Sequence, residues 1–227
     1  GGSSDEHCTA VTVADETVEA VAENAKSARG GANEHIDGRT LRRSRNRMAV
    51  IDALLALIRE GQFESGAAEI AERAGVSHRS VFRYFDDLDD LVRTAIDHQI
   101  SLADELAQIE GHGEGTLDER IRSLVVGRLA LYEYVDGAMR VARMKAPSIP
   151  EIDASIAEVA GWFESQLAIH FEPELAVRPV DDAAHLLDAC LILTSYDSFD
   201  LHTRVLGHDL DRTRASLSTA LAALLAI

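Results

Sequence analysis

The sequence predicts an all-α protein of about nine helices. Apolar residues recur at helical spacing through most of the chain, and alternating β-branched runs are nearly absent. Glycine and proline are sparse, at 15 and 4 of 227 residues, and the prolines punctuate the connections between apolar helical segments. A chain of this length can bury a sizeable core, either in one large domain or in a small domain followed by a medium one.

The charge distribution divides the chain into three parts. The net charge of −17 argues against a protein with a basic surface throughout. Residues 39–93, however, hold ten Lys/Arg and nine Asp/Glu, a net of +1, whereas residues 1–38 and 94–227 are strongly acidic. A local basic patch governs contact with a polyanion, and acidic surroundings suppress non-specific association.

Residues 1–38 are rich in Gly, Ser, Ala and acids, which predicts a flexible acidic N-terminal extension. The two cysteines, Cys8 and Cys190, lie in a polar and an apolar context, so a disulfide framework is not expected. No apolar run is long enough to span a bilayer, and no signal-peptide pattern is present, so a cytoplasmic location is expected.

The first strong helix signal follows a run of arginines. The apolar segment MAVIDALLALIR predicts a helix that begins at Met48 and ends near residues 60–61. The arginines that precede it are expected to form a basic arm that reaches phosphates or a minor groove. They are Arg39, Arg42, Arg43, Arg45 and Arg47.

Residues 66–85 predict two short helices joined by a tight turn. Gly75 supplies the positive φ that ends the first helix, and Ser77 is the N-cap of the second. Val81 and Phe85, four residues apart, point inward. Arg79 and Arg83 then fall on the outer face, which suits base edges and phosphates. The residues along the flanks of that face are His78, Ser80, Phe82 and Tyr84.

The remaining segments are also helical. Residues 87–109 are expected to form an amphipathic helix that links the basic part of the chain to the acidic remainder. Five further helices are expected at residues 116–134, 137–145, 150–170, 180–205 and 209–226.

Residues 43–96 resemble the TetR family of bacterial transcriptional regulators. The resemblance is carried by EGQF at the end of the first helix, IAERAGVS at the turn, and SVFRYFDDLDDL after it. It implies a three-helix helix-turn-helix DNA-binding domain at residues 39–93 and a helical effector-binding and dimerisation domain at residues 94–227.

The family resemblance also implies site residues. The expected DNA contacts are Ser77, His78, Arg79, Ser80, Phe82, Arg83 and Tyr84, together with the arm residues Arg42, Arg43, Arg45 and Arg47. Phe82 and Tyr84 stand where the family often has Tyr and His, and Leu88 replaces a frequent phosphate-binding Lys. The expected lining of the effector pocket comprises His98, Leu102, Tyr132, Met139, Met144, Trp162, Phe163, Gln166 and Tyr196.

The sequence therefore predicts a ligand-responsive repressor that binds a palindromic operator in double-stranded DNA as a homodimer. A small hydrophobic effector would release it. No phosphate loop, nucleophile elbow or metal-spaced His/Glu set is present, so neither an enzyme nor a cofactor is expected. The alternative is a helical ligand-binding or protein-interaction module with weakened or lost DNA binding, favoured by the acids at residues 86–90.

Overall fold

The computed structural model describes residues 38–226. The predicted acidic extension, apart from Gly38, lies outside these residues. Within them the chain forms ten α-helices and one π-helical turn without a strand, which confirms the all-α prediction. The elements are α1 (Gly38–Arg59), α2 (Ala67–Ala74), α3 (His78–Tyr84), α4 (Leu88–Leu102), α5 (Leu117–Lys145), α6 (Pro150–His170), α7 (Glu172–Ala176), α8 (Val180–Leu193), α9 (Tyr196–Asp200), the π turn (Leu201–Val205) and α10 (Leu210–Leu225). Among the helices of residues 38–226, none combines the length and the hydropathy that a bilayer span requires.

Helix α1 is longer than the sequence pattern predicted. It begins at Gly38 rather than at Met48, so the arginines expected in an arm are helical residues. Arginine is a good helix former, and neither glycine nor proline interrupts residues 39–60, so the helix continues through the basic stretch.

The predicted turn between α2 and α3 is present. Gly75 adopts a left-handed conformation with φ of 67°, and its N–H donates to the Glu72 carbonyl over 3.1 Å. Ser77 is the N-cap of α3, and its Oγ accepts a hydrogen bond of 3.2 Å from the backbone N–H of Ser80. Val81 and Phe85 are buried against α1 and α2, as their spacing predicted.

Helix α5 replaces two predicted helices, 116–134 and 137–145, with one of 29 residues. Gly137 does not break it, because an interior glycine is tolerated where a neighbouring helix approaches closely. A Cβ on Gly137 would lie 2.8 Å from Ile58 Cγ2 of α1. Val141 and Ala142 of α5 belong to the core of the helix-turn-helix, whereas Leu124 and Leu131 belong to the second core.

The predicted helices 87–109 and 180–205 are shorter or interrupted. Helix α4 ends at Leu102, and α8 ends at Leu193. The Thr194 hydroxyl donates to the Cys190 carbonyl over 2.8 Å, and Ser195 is the N-cap of α9. Local hydrogen bonds from hydroxyl side chains compete with helix continuation, which explains the interruption after Leu193.

Candidate nucleic-acid interface and ligand site

The outer face of α3 carries exposed basic and aromatic side chains. His78, Arg79, Phe82 and Arg83 are exposed, and Ser80 is half-buried. The rings of His78 and Phe82 make an edge contact with centroids 5.2 Å apart. Cations, imidazole and an apolar ring on one short helix can contact phosphates, base edges and thymine methyl groups.

Tyr84 lies inside the fold rather than on this face. Its side chain is 9% exposed, and its hydroxyl accepts a bond of 2.6 Å from Arg83 Nη2. Asn46 Nδ2 of α1 donates to the same oxygen over 3.4 Å. The guanidinium of Arg83 lies 4.9 Å from the Tyr84 ring centroid. Tyr84 therefore orients Arg83, and the sequence alone could not distinguish this role from direct contact.

The predicted arm residues occupy the first three turns of α1. Arg42, Arg43 and Arg45 are exposed, and Arg47 is half-buried. The guanidinium of Arg47 lies 4.8 Å from the centroid of the buried Phe85 ring, at the end of α3. This cation–π contact joins the last arginine of the basic stretch to the end of α3.

The acidic residues after α3 make hydrogen bonds within the protein. Asp87 is the N-cap of α4 and accepts from the Asp90 N–H over 2.8 Å. Asp89 pairs with Lys145 of α5 at 2.9 Å, and Asp90 pairs with Arg93 at 2.6 Å. Capping and pairing neutralise part of the negative charge that the sequence placed beside the basic face.

The residues predicted to line the effector pocket fall into separate groups. Tyr132 and Tyr196 are buried with ring centroids 5.8 Å apart, and their hydroxyls donate to the Thr194 carbonyl (2.7 Å) and to Asp136 Oδ1 (2.8 Å). Burial raises the pKa of Tyr132 to about 12, so its hydroxyl remains a donor at neutral pH.

A second group lies on α6. The rings of Trp162 and Phe163 are 5.2 Å apart, and Gln166 is buried one turn further along. Phe163 and Gln166 contact Arg128 of α5, a residue that is not among the predicted pocket residues. The Arg128 Cζ lies 3.5 Å from the Phe163 centroid, and its Nη2 donates to Gln166 Oε1 over 3.0 Å. Burial lowers the pKa of Arg128 to about 10.

The other predicted pocket residues are dispersed. His98 and Met139 are half-buried, and Leu102 is exposed. Met144 is exposed and lines a surface cavity of about 460 Å³ that also contacts Phe63 and the loop after α1. Within residues 38–226, no three His, Cys, Asp or Glu side chains converge as metal ligands.

Comparison with known proteins agrees with this architecture. Residues 50–95 match the model of the bacterial regulatory proteins of the tetR family. The chain is 27% identical over 182 residues to the HTH-type transcriptional regulator BetI of Escherichia coli K12, covering 76% of this chain and 89% of that protein. The crystal structure of a transcriptional regulator from Rhodococcus sp. Rha1 shares the fold, with a TM-score of 0.60 at 16% identity, covering 81% of this chain and 95% of that one.

Proposed function

We propose that this chain, a transcriptional regulator of the TetR family, is a ligand-responsive repressor that binds a palindromic operator as a homodimer. The observation that carries the proposal is the exposed face of α3, where Arg79, Phe82 and Arg83 project from a helix fixed by its Ser77 cap. A helix of this kind fits the major groove, where arginine reads guanine through two hydrogen bonds.

The side chains of α3 divide by role. Arg79 is exposed on the outer face and would contact a base edge. Arg83 is held by the Tyr84 hydroxyl and would meet a phosphate or base in a fixed orientation. The arginines at 42, 43, 45 and 47 would contact phosphates, and counter-ion release would make the affinity fall with salt.

Homodimer formation is supported by exposed apolar side chains on the C-terminal helices. Val180 and Ile192 of α8 are 85% and 69% exposed in the single chain, and Leu224 of α10 is exposed as well. Two such helices from each protomer would pack as a four-helix interface and remove these side chains from water. Two-fold symmetry would place the paired α3 helices in successive major grooves, about 34–36 Å apart.

Effector release requires two states of the dimer, of which the effector binds the one with separated α3 helices better. The contacts between the helix-turn-helix and the C-terminal helices support this coupling. They are made by α4, which continues from the helix-turn-helix, and by the end of α5, which packs on α1. The effector would be a small molecule with an apolar body, in a protein that works in the cytoplasm.

The proposal is tested by selecting bound DNA from a random duplex library with the purified protein, alongside its molar mass in solution by light scattering. A recovered palindrome and a dimeric mass are the expected results. An absence of enrichment at low salt would overturn the repressor and favour a module without DNA binding. A palindrome bound by a monomer would overturn the dimer.

A further inference from the structure

Helix α5 carries two buried arginines whose surroundings differ. Arg120 is 4% exposed, and its Nη2 lies 2.5 Å from Glu174 Oε1. Its Nη1 donates to the His170 carbonyl over 2.7 Å. A carboxylate and a carbonyl thus compensate the charge, which is the usual arrangement for a buried arginine.

Arg128 lies two turns further along and has no such compensation. It is 3% exposed, its Nη2 donates to the neutral amide oxygen of Gln166, and its guanidinium stacks on Phe163. Among the described residues no carboxylate pairs with Arg128, whereas Glu174 pairs with Arg120. The buried Nε of Arg128, like that of Arg120, has no hydrogen-bond partner. A buried cation without a counter-ion is strongly unfavourable, so this site is suited to an anion that the chain itself does not supply.

Gln166 connects Arg128 to the loop between α4 and α5. Its Nε2 donates to the Ala107 carbonyl of that loop over 3.1 Å, and its backbone carbonyl lies 2.8 Å from His112 Nε2. Gly113 adopts a φ of 80° and donates its N–H to His170 Nδ1 over 3.0 Å. The loop is thus joined to α6 by hydrogen bonds that involve Gln166, His112 and Gly113.

We propose that Arg128 binds the carboxylate of an effector with an apolar body, and that this carboxylate takes the place of Gln166 Oε1. A carboxylate can accept two hydrogen bonds from a guanidinium at once, including one from the orphaned Nε. Phe163, on which the guanidinium stacks, and Trp162 beside it would supply apolar surface for the remainder of the molecule.

This inference rests on the proposed function, because it names the chemical class of the effector. Moving Gln166 away from Arg128 disturbs its bond to Ala107, in the loop that follows α4. Since α4 starts at the helix-turn-helix, the binding event is connected to the DNA-binding end of the chain. The primary amide of the same molecule has no charge, so its hydrogen bond to Arg128 would be little stronger than the one that the Gln166 side chain already makes.

The experiment uses the single tryptophan of the chain, Trp162, as a fluorescent reporter beside Phe163. The probes are straight-chain carboxylates from butanoate to dodecanoate, benzoate and phenylacetate, each paired with its primary amide. We expect at least one carboxylate to bind about 10-fold or more tightly than its amide, since a charged hydrogen bond replaces a neutral one. A wild-type protein with no such preference for any pair overturns the inference.

Two substitutions and one control identify the residue responsible. Arg128→Met should remove the preference for the carboxylate, and Arg128→Lys should retain part of it by keeping the charge. Arg122→Met is the matched control, since Arg122 is exposed on the same helix, and should leave the preference intact. If folded Arg128→Met keeps the preference for the carboxylate, or if folded Arg128→Lys keeps it at full strength, the anion binds at another site and the inference is overturned. The thermal melt of each variant shows whether it folds.

The outcome is separable from that of the proposed function. If the protein enriches a palindrome but shows no preference for carboxylates, the inference about Arg128 is overturned and the proposed repressor function stands. A carboxylate preference that depends on Arg128, in a protein that enriches no DNA, keeps the binding site and removes the repressor.

Discussion

Replacing Gly137 by alanine should destabilise the close contact between α5 and α1 of the helix-turn-helix. In an exposed helix interior this substitution stabilises by about 0.5–1 kcal/mol, because alanine loses less backbone entropy than glycine. At Gly137 the new Cβ would lie 2.8 Å from Ile58 Cγ2, with the Ile58 carbonyl oxygen and carbon at 3.5 and 3.6 Å. The nearest atom is a methyl group on a β-branched, buried side chain, so it cannot rotate away freely.

The magnitude follows from comparison with a second glycine. Gly161 lies within α6, and a Cβ there would meet nothing within 4 Å. Gly161→Ala should therefore show the propensity gain alone. Forcing an extra methyl group into a packed contact costs about 1–3 kcal/mol, so Gly137→Ala should be less stable than Gly161→Ala by about that amount.

Urea denaturation of the two variants and the wild type measures this difference directly. In thermal unfolding of the same samples, the melting temperatures should differ by about 2–4 °C for each kcal/mol of difference in stability, the ratio for a chain of this size. A Gly137→Ala variant as stable as Gly161→Ala would refute the close approach of α5 to α1. Operator affinity measured on the same samples would then show whether the crossing also sets the position of the DNA-binding helices.

Three further expectations concern single side chains. Arg79→Ala should cost about 1–3 kcal/mol on the selected palindrome and relax the preference for one base pair, and equal weakening on every duplex would exclude a base contact. Burial lowers the pKa of His170 below its usual 6.5, so the contribution of this residue to stability is complete above about pH 6.5 and is lost as the pH falls further. His170→Gln should therefore reduce the fall in the free energy of unfolding at acid pH. Parallel curves of unfolding free energy against pH for the variant and the wild type would contradict this. Burial raises the pKa of the Cys190 thiol to about 11. In a Cys8→Ser variant, which leaves Cys190 as the one thiol, iodoacetamide at about pH 8 should therefore label the folded protein slowly and the denatured protein quickly. Fast labelling of this variant in its native state would show that α8 opens readily.

The helix-turn-helix was predictable because its signals are local. A glycine that needs a positive φ at position 75 and a hydroxyl cap at position 77 lie within three residues of each other. The apolar spacing of Val81 and Phe85 then defines the buried face without reference to distant parts of the chain. The exposure of Arg79 follows from the same periodicity.

The interior site was harder to predict because its contacts join distant segments. Arg128 and Gln166 are 38 residues apart and meet only when α5 packs on α6. One signal was present: Arg128 interrupts an apolar stripe that includes Leu124 and Leu131, and a lone cation in such a stripe is unusual. The start of α1 was misplaced for a different reason, since basic residues without an apolar face can belong either to a helix or to an arm.

The continuity of α5 matters for anyone who wishes to build hybrid regulators from this chain. A fusion joined after α4 would exchange the effector-binding helices and, with them, Gly137, Val141 and Ala142, which complete the core of the helix-turn-helix. The transplanted helix would then present a foreign surface to Ile58. A functional hybrid should instead retain residues 137–145 of this chain with its DNA-binding end. The exchanged segment would then end within α5, before Gly137, and a further junction would follow Lys145.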